Sequence, residues 1–445
     1  MKTKANQHFL KAFLFLIVSL ATQVVSAQAT FNSNATGNWS ASASWTPVSG
    51  TDADGVPDSN DTVVIISSHT ITVNGTFSCA SLTVGPVNNN VSTLSFNSGS
   101  SLTVSGTVSL GNSGNANRRG SIVMTNGGTL SCTGFVLNNA GTNTFTPGTG
   151  LVVLTATNTL PASIFTTFND LQISSGTTKL GVNTTISGIL DLTSGNLDVN
   201  TFTGSAGELT GSGNLINTGT ADTFTIGSSN TDSSYSGVMS ATTAANLAIT
   251  KTGTGKLTIS GNHTYTGTTT LTGGTLEISA ADRIANGSPI NFNGGTFSTG
   301  ATTGFNETLG VASLNANSTI KLGTGVHTLT FANSSAATWG AFTLTIDGWS
   351  GTGGSTGTAT EGKIQVGTGG LIASQLAKIQ FTGFPIGATI TASGELVPSK
   401  NIFYSKGSLA PQIATNWNSK RDGTGTNASA SDFTAGTYFI IQNGH

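Results

Sequence analysis

Four aspartates stand within the stretch DADGVPDSND (52–61): Asp52, Asp54, Asp58 and Asp61. Hard oxygen ligands on a loop turned by glycine are what Ca2+ takes. Calcium is therefore the one cofactor this sequence admits, and these four residues are its candidate metal ligands. Read without an ion, the same residues form an acidic surface loop in which Asp61 caps the following strand. Both readings stay open. The five histidines, His8, His69, His263, His327 and His445, add no metal pattern, because neither H-x-x-H nor H-E-x-x-H occurs. His69 and His445 end two similar stretches and read as turn residues. Cleavage of a glycosidic bond needs two carboxylates about 5–10 Å apart. The acids here come singly: Asp170, Asp191, Asp198, Glu208, Asp222, Glu277, Asp282 and Glu307. Asp191 and Asp198 could meet across one coil in LDLTSGNLDV, but no basic cluster accompanies them, and Arg118 and Arg119 sit in a distant Gly/Asn loop. No nucleophile elbow, phosphate loop, nucleotide fingerprint or zinc spacing is found. The sequence assigns no catalytic residue and reads as a non-enzyme.

The elements that would position such residues are unusual. Charged residues make up 8% of the 445, against about 25% in an average soluble domain. There are 59 glycines but only 9 prolines, and apolar residues reach 36%. A disordered linker would lack the β-branched and apolar residues that recur here in short alternating runs. A formal charge of −2 argues against nucleic acid as a partner. The first 27 residues read as a secretory signal. Lys2, Lys4 and Lys11 precede an apolar centre, Phe13 to Leu20, and Val25-Ser26-Ala27 is a small-residue cleavage site. The apolar run is shorter than the roughly 20 residues of a membrane span, and no later stretch qualifies.

Runs such as TVVIISSHTITV (62–73), GSIVMTNGGTLSCTGFVL (120–137) and KLTISGNHTYTGTTTLTGGTLEI (256–278) alternate with period two and are separated by Gly, Asn or Ser-Gly. They recur every 20 to 30 residues, the spacing of a solenoid, and no convincing helix interrupts them. The expected fold is all-β: a right-handed parallel β-helix with an N-terminal cap, of about 17 coils and roughly 80 Å. Aliphatic side chains would stack inside, Thr, Ser and Asn would line the outside, and Asn would form ladders at the corners. Trp39 and Trp45 are the candidates to pack the cap, which is needed because an open coil end exposes its edge. Cys79 and Cys132 lie in the similar runs FSCASLTV and LSCTGFVL, with Val104 of LTVSGTVSL aligned between them. Two coils at about 4.8 Å each place them beyond the disulfide limit of about 7 Å. They are expected to be free, buried and core-filling.

Residues 247–276, LAITKTGTGKLTISGNHTYTGTTTLTGGTL, resemble the passenger-associated transport repeat, also called the autotransporter-associated β-strand repeat. The matching positions are Lys251, Gly253, Gly255, Leu257, Gly261, Tyr265, Gly267, Thr269, Gly273, Gly274 and Leu276. NGSPINFNGGTF (286–297) resembles the coil that usually follows. The stretch from 305 to 351 and IQFTGFPIGATITASGELVP are similar to the closing part of such passengers, with Trp339 and Trp349 capping or packing the last coils. The resemblance implies a β-helical passenger at the cell surface of a Gram-negative bacterium. The 52–61 loop also resembles a thrombospondin type 3 calcium repeat, though it is single and carries no cysteine.

The expected organisation is a signal peptide at 1–27, a capping module with the first coils at 28–150, further coils at 151–246, and the transport repeat with closing coils at 247–400. Residues 401–445 read as the truncated start of a second module, with a boundary near Pro398–Asn401. Trp39 precedes His69 by 30 residues and Trp417 precedes His445 by 28, and each pair brackets a polar loop and an aliphatic strand. The counterpart of the acidic loop, at 421–432, keeps only Asp422 and Asp432. The chain is accordingly expected to be a fragment whose anchoring domain lies elsewhere. The expected function is a secreted or cell-surface, adhesin-like passenger or structural stalk, at the outer membrane. Its partners would be extracellular glycans or other cell surfaces, held by weak multivalent contacts. The alternatives are a polysaccharide-degrading β-helix enzyme, lyase or hydrolase, and a pure spacer.

Overall fold

The computed structural model describes residues 28–445 apart from 86, 88, 89, 113, 116, 139–141, 400, 401, 431, 432 and 434–437, and at 402 and 438 it describes the backbone alone. The signal segment with His8, the boundary at 400–401 and Asp432 lie outside the described residues. The fold is all-β, 44% strand and 4% helix, and forms a parallel β-solenoid of about 12 turns. That is fewer than the 17 expected, because the coils lengthen along the chain. The in-register partner of Leu257 is Leu276, that of Ile320 is Ile346, and that of Ile346 is Phe381. The four-residue helix Ala373–Leu376 sits in the longest of these coils.

The chain forms two compact units. The first runs to Ser131 and takes in Val136–Thr146. Strands Thr30–Ser33, Thr62–Ile65, Ser81–Val84 and Val108–Leu110 pair in parallel, so Phe31, Val63, Leu82 and Val108 form one inward row. All four are buried. Period-two alternation explains the row: every second side chain points inward, and parallel in-register pairing puts like on like about 4.8 Å apart. Ile71, Leu94 and Ile122 make a second row, and Phe77, Leu102 and Leu130 a third. Strand Trp45–Ser49 ends the first sheet, antiparallel to Thr30–Ser33. Trp45 meets Trp39 edge to face at 5.0 Å, and its Nε1 donates to the Trp39 carbonyl at 2.8 Å. Cys79 pairs with Val104 in the third wall.

The second unit comprises Cys132–Phe135 and Pro147–His445. Its first long wall holds the inward row Phe168, Ile186, Ala206, Ile226, Lys251, Leu271, Phe292 and Leu314. A second wall carries Leu257, Leu276, Phe297, Ile320, Ile346 and Phe381. A third, narrower sheet runs through Asn158–Thr159, Thr177–Lys179, Asn196–Asp198, Leu215–Asn217 and Met239–Ala241. In the closing coils Trp349 stands edge-on to Phe381 and Phe384, and Trp339 donates to the Ala312 carbonyl at 3.0 Å. Cys79 and Cys132 are both buried and free. Burial pushes the Cys132 thiol up to about 12 and raises that of Cys79 as well.

The corners use a device the sequence did not announce. After a strand ends, a Ser or Thr donates both its amide and its hydroxyl to one carbonyl of the preceding coil. Ser174 bonds Leu154 O at 2.9 and 3.2 Å, Ser236 bonds Gly211 O at 3.0 and 3.1 Å, and Ser279 bonds Ile259 O at 3.1 and 3.2 Å. Asparagines serve the corners differently from a side-chain ladder. The amide oxygens of Asn196 and Asn214 accept backbone N–H groups of the next coil, from Asn214 and Val238.

Candidate functional site

The acidic loop is only partly the cluster its spacing suggests. Carboxylate oxygens of Asp52, Asp58 and Asp61 lie within 4.8 Å of one another. Asp54 stands outside that group, and its Oδ1 accepts the Val56 amide at 2.9 Å. Asp61 is fully buried, and its two oxygens accept the amides of Ala29 and Asp58, each at 2.8 Å. Asp52 Oδ1 accepts the amide of Gly55 at 2.6 Å. Short aspartate side chains bonding their own backbone build such turns without help. Three convergent carboxylates are also a donor set a hard cation can use. The loop therefore has a structural role in place and a ligand set that fits calcium through Asp52, Asp58 and Asp61.

His69 and His445 make matching clasps. His69 Nδ1 lies 2.9 Å from Ser33 Oγ, which accepts the Ile66 amide at 2.8 Å. His445 Nδ1 lies 2.6 Å from Ser405 Oγ, which accepts the Gln442 amide at 2.9 Å. Strand Ile402–Ser405 runs parallel to Tyr438–Ile440 as Thr30–Ser33 does to Thr62–Ile65. The tryptophan equivalent to Trp417 is Trp45, not Trp39. Ser33 faces Trp45 and Ser405 faces Trp417 in antiparallel register. Each tryptophan follows a short 3-10 turn, and its Nε1 donates to the carbonyl six residues back, Trp39 or Pro411. Spacing to the histidine misaligned the pair because the loops after the two tryptophans differ in length.

His263 and His327 are buried. His327 bonds Thr299 Oγ1 and the Gly325 carbonyl, each at 2.8 Å, which satisfies both ring nitrogens. His263 Nδ1 accepts the Met239 amide at 3.0 Å, so its proton sits on Nε2, which has no partner among the described residues. Burial, with Arg283 nearby, pushes this imidazole down to about 3.

The scattered acids remain scattered. Asp191 lies on strand Thr184–Leu192, between Gln172 and Thr210 of adjacent coils. Asp198 lies on Asn196–Asp198 in the narrow sheet, buried, and accepts the Thr218 and Asn200 amides at 3.0 and 2.9 Å. Occupying different walls, each is engaged in its own hydrogen bonds. Glu277 pairs with Lys256 at 2.9 Å. Glu307 is fully buried and takes the Arg283 amide at 2.8 Å; burial raises its carboxyl to about 7. Lys251 is the anomaly of the inner row. It is 1% exposed, its ammonium donates to the Thr252 carbonyl at 2.6 Å, and desolvation lowers it to about 8. Alternation in LAITK carries the signal, since Leu247, Ile249 and Lys251 share one phase.

Asp191 also borders an open groove of about 320 Å³. Exposed hydroxyls of Thr193, Ser212, Ser234, Ser236 and Ser260 line it. Gly211 forms part of its floor. The glycine has φ +96°, and a Cβ there would stand 2.2 Å from the Leu192 carbonyl.

Fold and sites together define a repeat-built parallel β-solenoid. Residues 249–278 match the family model of the passenger-associated-transport-repeat, and this stretch is such a repeat. No curated protein and no solved structure matches the chain. The repeat's residues have a physical reading here. Its tyrosine and threonine, Tyr265 and Thr269, bond each other at 2.8 Å inside the core. Its glycine Gly261 lies where a Cβ would meet the Gly237 carbonyl of the preceding coil at 1.9 Å. Such close coil contact admits no side chain.

Proposed function

We propose that the chain is an exported passenger-type stalk at the surface of a Gram-negative bacterium. It makes adhesin-like, weak and repeated contacts with extracellular glycans and carries out no catalysis. The observation that supports this reading most directly is the outward row of the long wall. Thr167, Thr185, Ser205, Thr225, Thr250, Thr270, Asn291 and Ser313 stand in register across eight successive strands, and none of them is buried. A surface that repeats one hydrogen-bonding group every 4.8 Å or so suits avidity better than a single tight site. The transport repeat at 249–278 supports the export reading. In this reading residues 1–27 are a cleaved signal, and the strand Trp45–Ser49 with the Trp39–Trp45 pair caps the first unit. The 52–61 loop takes calcium as a structural ion, and 401–445 opens a second module.

The test is surface display and binding. Cells expressing the chain in its native host should lose it to external protease. Purified protein should bind glycans on an array without releasing new reducing ends. Protection from protease in intact cells would overturn the location, and new reducing ends would overturn the non-enzymatic reading.

A further inference from the structure

The groove beside Asp191 has the chemistry of a sugar site, an inference that rests on the glycan-contact reading above. The geometry points to a site for a neutral glycan, in which Asp191 accepts hydroxyl protons from adjacent positions of one sugar ring. Asp191 Oδ2 is already committed, to Gln172 Nε2 at 2.7 Å and Thr193 Oγ1 at 2.9 Å. Those two bonds fix the plane of the carboxylate. Oδ1 has no hydrogen bond among the described residues. It lies where a side chain at 211 would cover it, since a Cβ on Gly211 would come within 2.9 Å. The glycine thus keeps one carboxylate oxygen open to the groove.

The neighbouring hydroxyls are pre-oriented in the same way. Ser212 Oγ donates to the Thr193 carbonyl at 2.8 Å, and Ser236 Oγ donates to the Gly211 carbonyl at 3.1 Å. With their protons turned to the protein, both oxygens present lone pairs outward, ready to accept from sugar hydroxyls. Thr193, Ser212, Ser236 and Ser260 come from successive coils, so the polar strip extends about 14 Å along the coil axis. That length suits a short run of sugar rings rather than a single small ion. Asp191 is the only charged side chain lining the groove among the described residues, which disfavours uronic acids. Tyr235 lines the groove but is buried, with its ring stacked near His263 and its hydroxyl given to the Gly213 carbonyl at 2.7 Å. No aromatic platform is offered, so the contact is polar and individually weak, as a multivalent surface requires.

The experiment uses the full chain with neutral gluco-, manno- and galacto-oligosaccharides and, in a second arm, oligouronates. Wild-type protein should bind a neutral series and not the uronates. Asp191→Asn should weaken that binding about tenfold or more, the usual cost of losing a charge-assisted hydrogen bond. Ser234→Arg, at an exposed position, should block the groove sterically. Asp347→Asn, on the same wall and away from the groove, should bind as wild type. Equal melting temperatures would show that the variants fold. Unchanged neutral-glycan binding in both groove variants would overturn the site and leave the stalk reading standing. A preference for uronates would overturn the carboxylate-led recognition. An absence of any glycan binding by wild type would overturn both.

Discussion

Lys251 shows what a single residue costs in a stacked core. Between Ile226 and Leu271 its ammonium has one carbonyl partner and no water-exposed face. Its folded pKa, about 8, lies below the ordinary 10.5. Between these values the unfolded chain binds more protons, so this residue's contribution to stability rises with pH through that window. The penalty is fully present below pH 8 and fades towards pH 10.5. Lys251→Met should therefore stabilise the second unit at pH 7, by about 1–3 kcal/mol. The advantage over wild type should shrink by pH 10, as read by chemical denaturation at the two pH values. A pH-independent difference would remove the desolvation account. Other residues were less legible. Ser33 and Ser405 share the inward phase of their strands, but nothing in the sequence says that each holds a histidine. Glu307 gave no hint of burial, because the two amides it accepts come from a different coil.

At the scale of the element, the alternation was readable, and the strand rows follow from it with few exceptions. The corners were not readable, because Ser-Gly after a strand looks like any turn. Only stacking reveals that one carbonyl takes two bonds from one serine. Close coil approach is equally invisible in one dimension. Gly261→Ala should cost more than about 3 kcal/mol, since its Cβ would collide with the backbone carbonyl of Gly237. Gly287→Ala, where nothing lies within 4 Å of the added atom, should cost less, despite its positive φ. Similar melting temperatures for the two variants would contradict the packing argument. The acidic loop was half legible. Its composition pointed to four ligands, whereas the turn spends Asp54 on a local bond. If Asp52, Asp58 and Asp61 hold calcium, millimolar Ca2+ should raise the melting temperature of wild type and of Asp54→Ala by a few degrees. Asp58→Ala should not respond. An equal loss of response in both variants would argue for the whole run acting together.

For the molecule as a whole, the solenoid class followed from period and composition, but the number of turns did not. A mean repeat length hides the lengthening of the coils, and the helix Ala373–Leu376 falls in the long span between Ile346 and Phe381. The transport repeat covers residues 249–278 alone, and the rest of the second unit extends its row pattern with other sequences. Lys251 and Ala206 stand in the same inward row as Phe292. Position in the stack, more than residue identity, is what the coils have in common.

The lengthening coils have a mechanical consequence. A strand pulled from the end of a parallel stack loses its neighbour's hydrogen bonds before the next strand is loaded, so tension should peel the second unit one turn at a time. Each rupture would release the chain between in-register partners. For the coil from Leu257 to Leu276 that is about 65 Å of contour, and for the coil from Ile346 to Phe381 about 120 Å. Single-molecule stretching should record steps of graded size within these bounds, and one all-at-once rupture would deny the turn-by-turn account. A stack that yields in graded steps absorbs a tug as heat, like a shock cord, while the unpeeled turns stay intact.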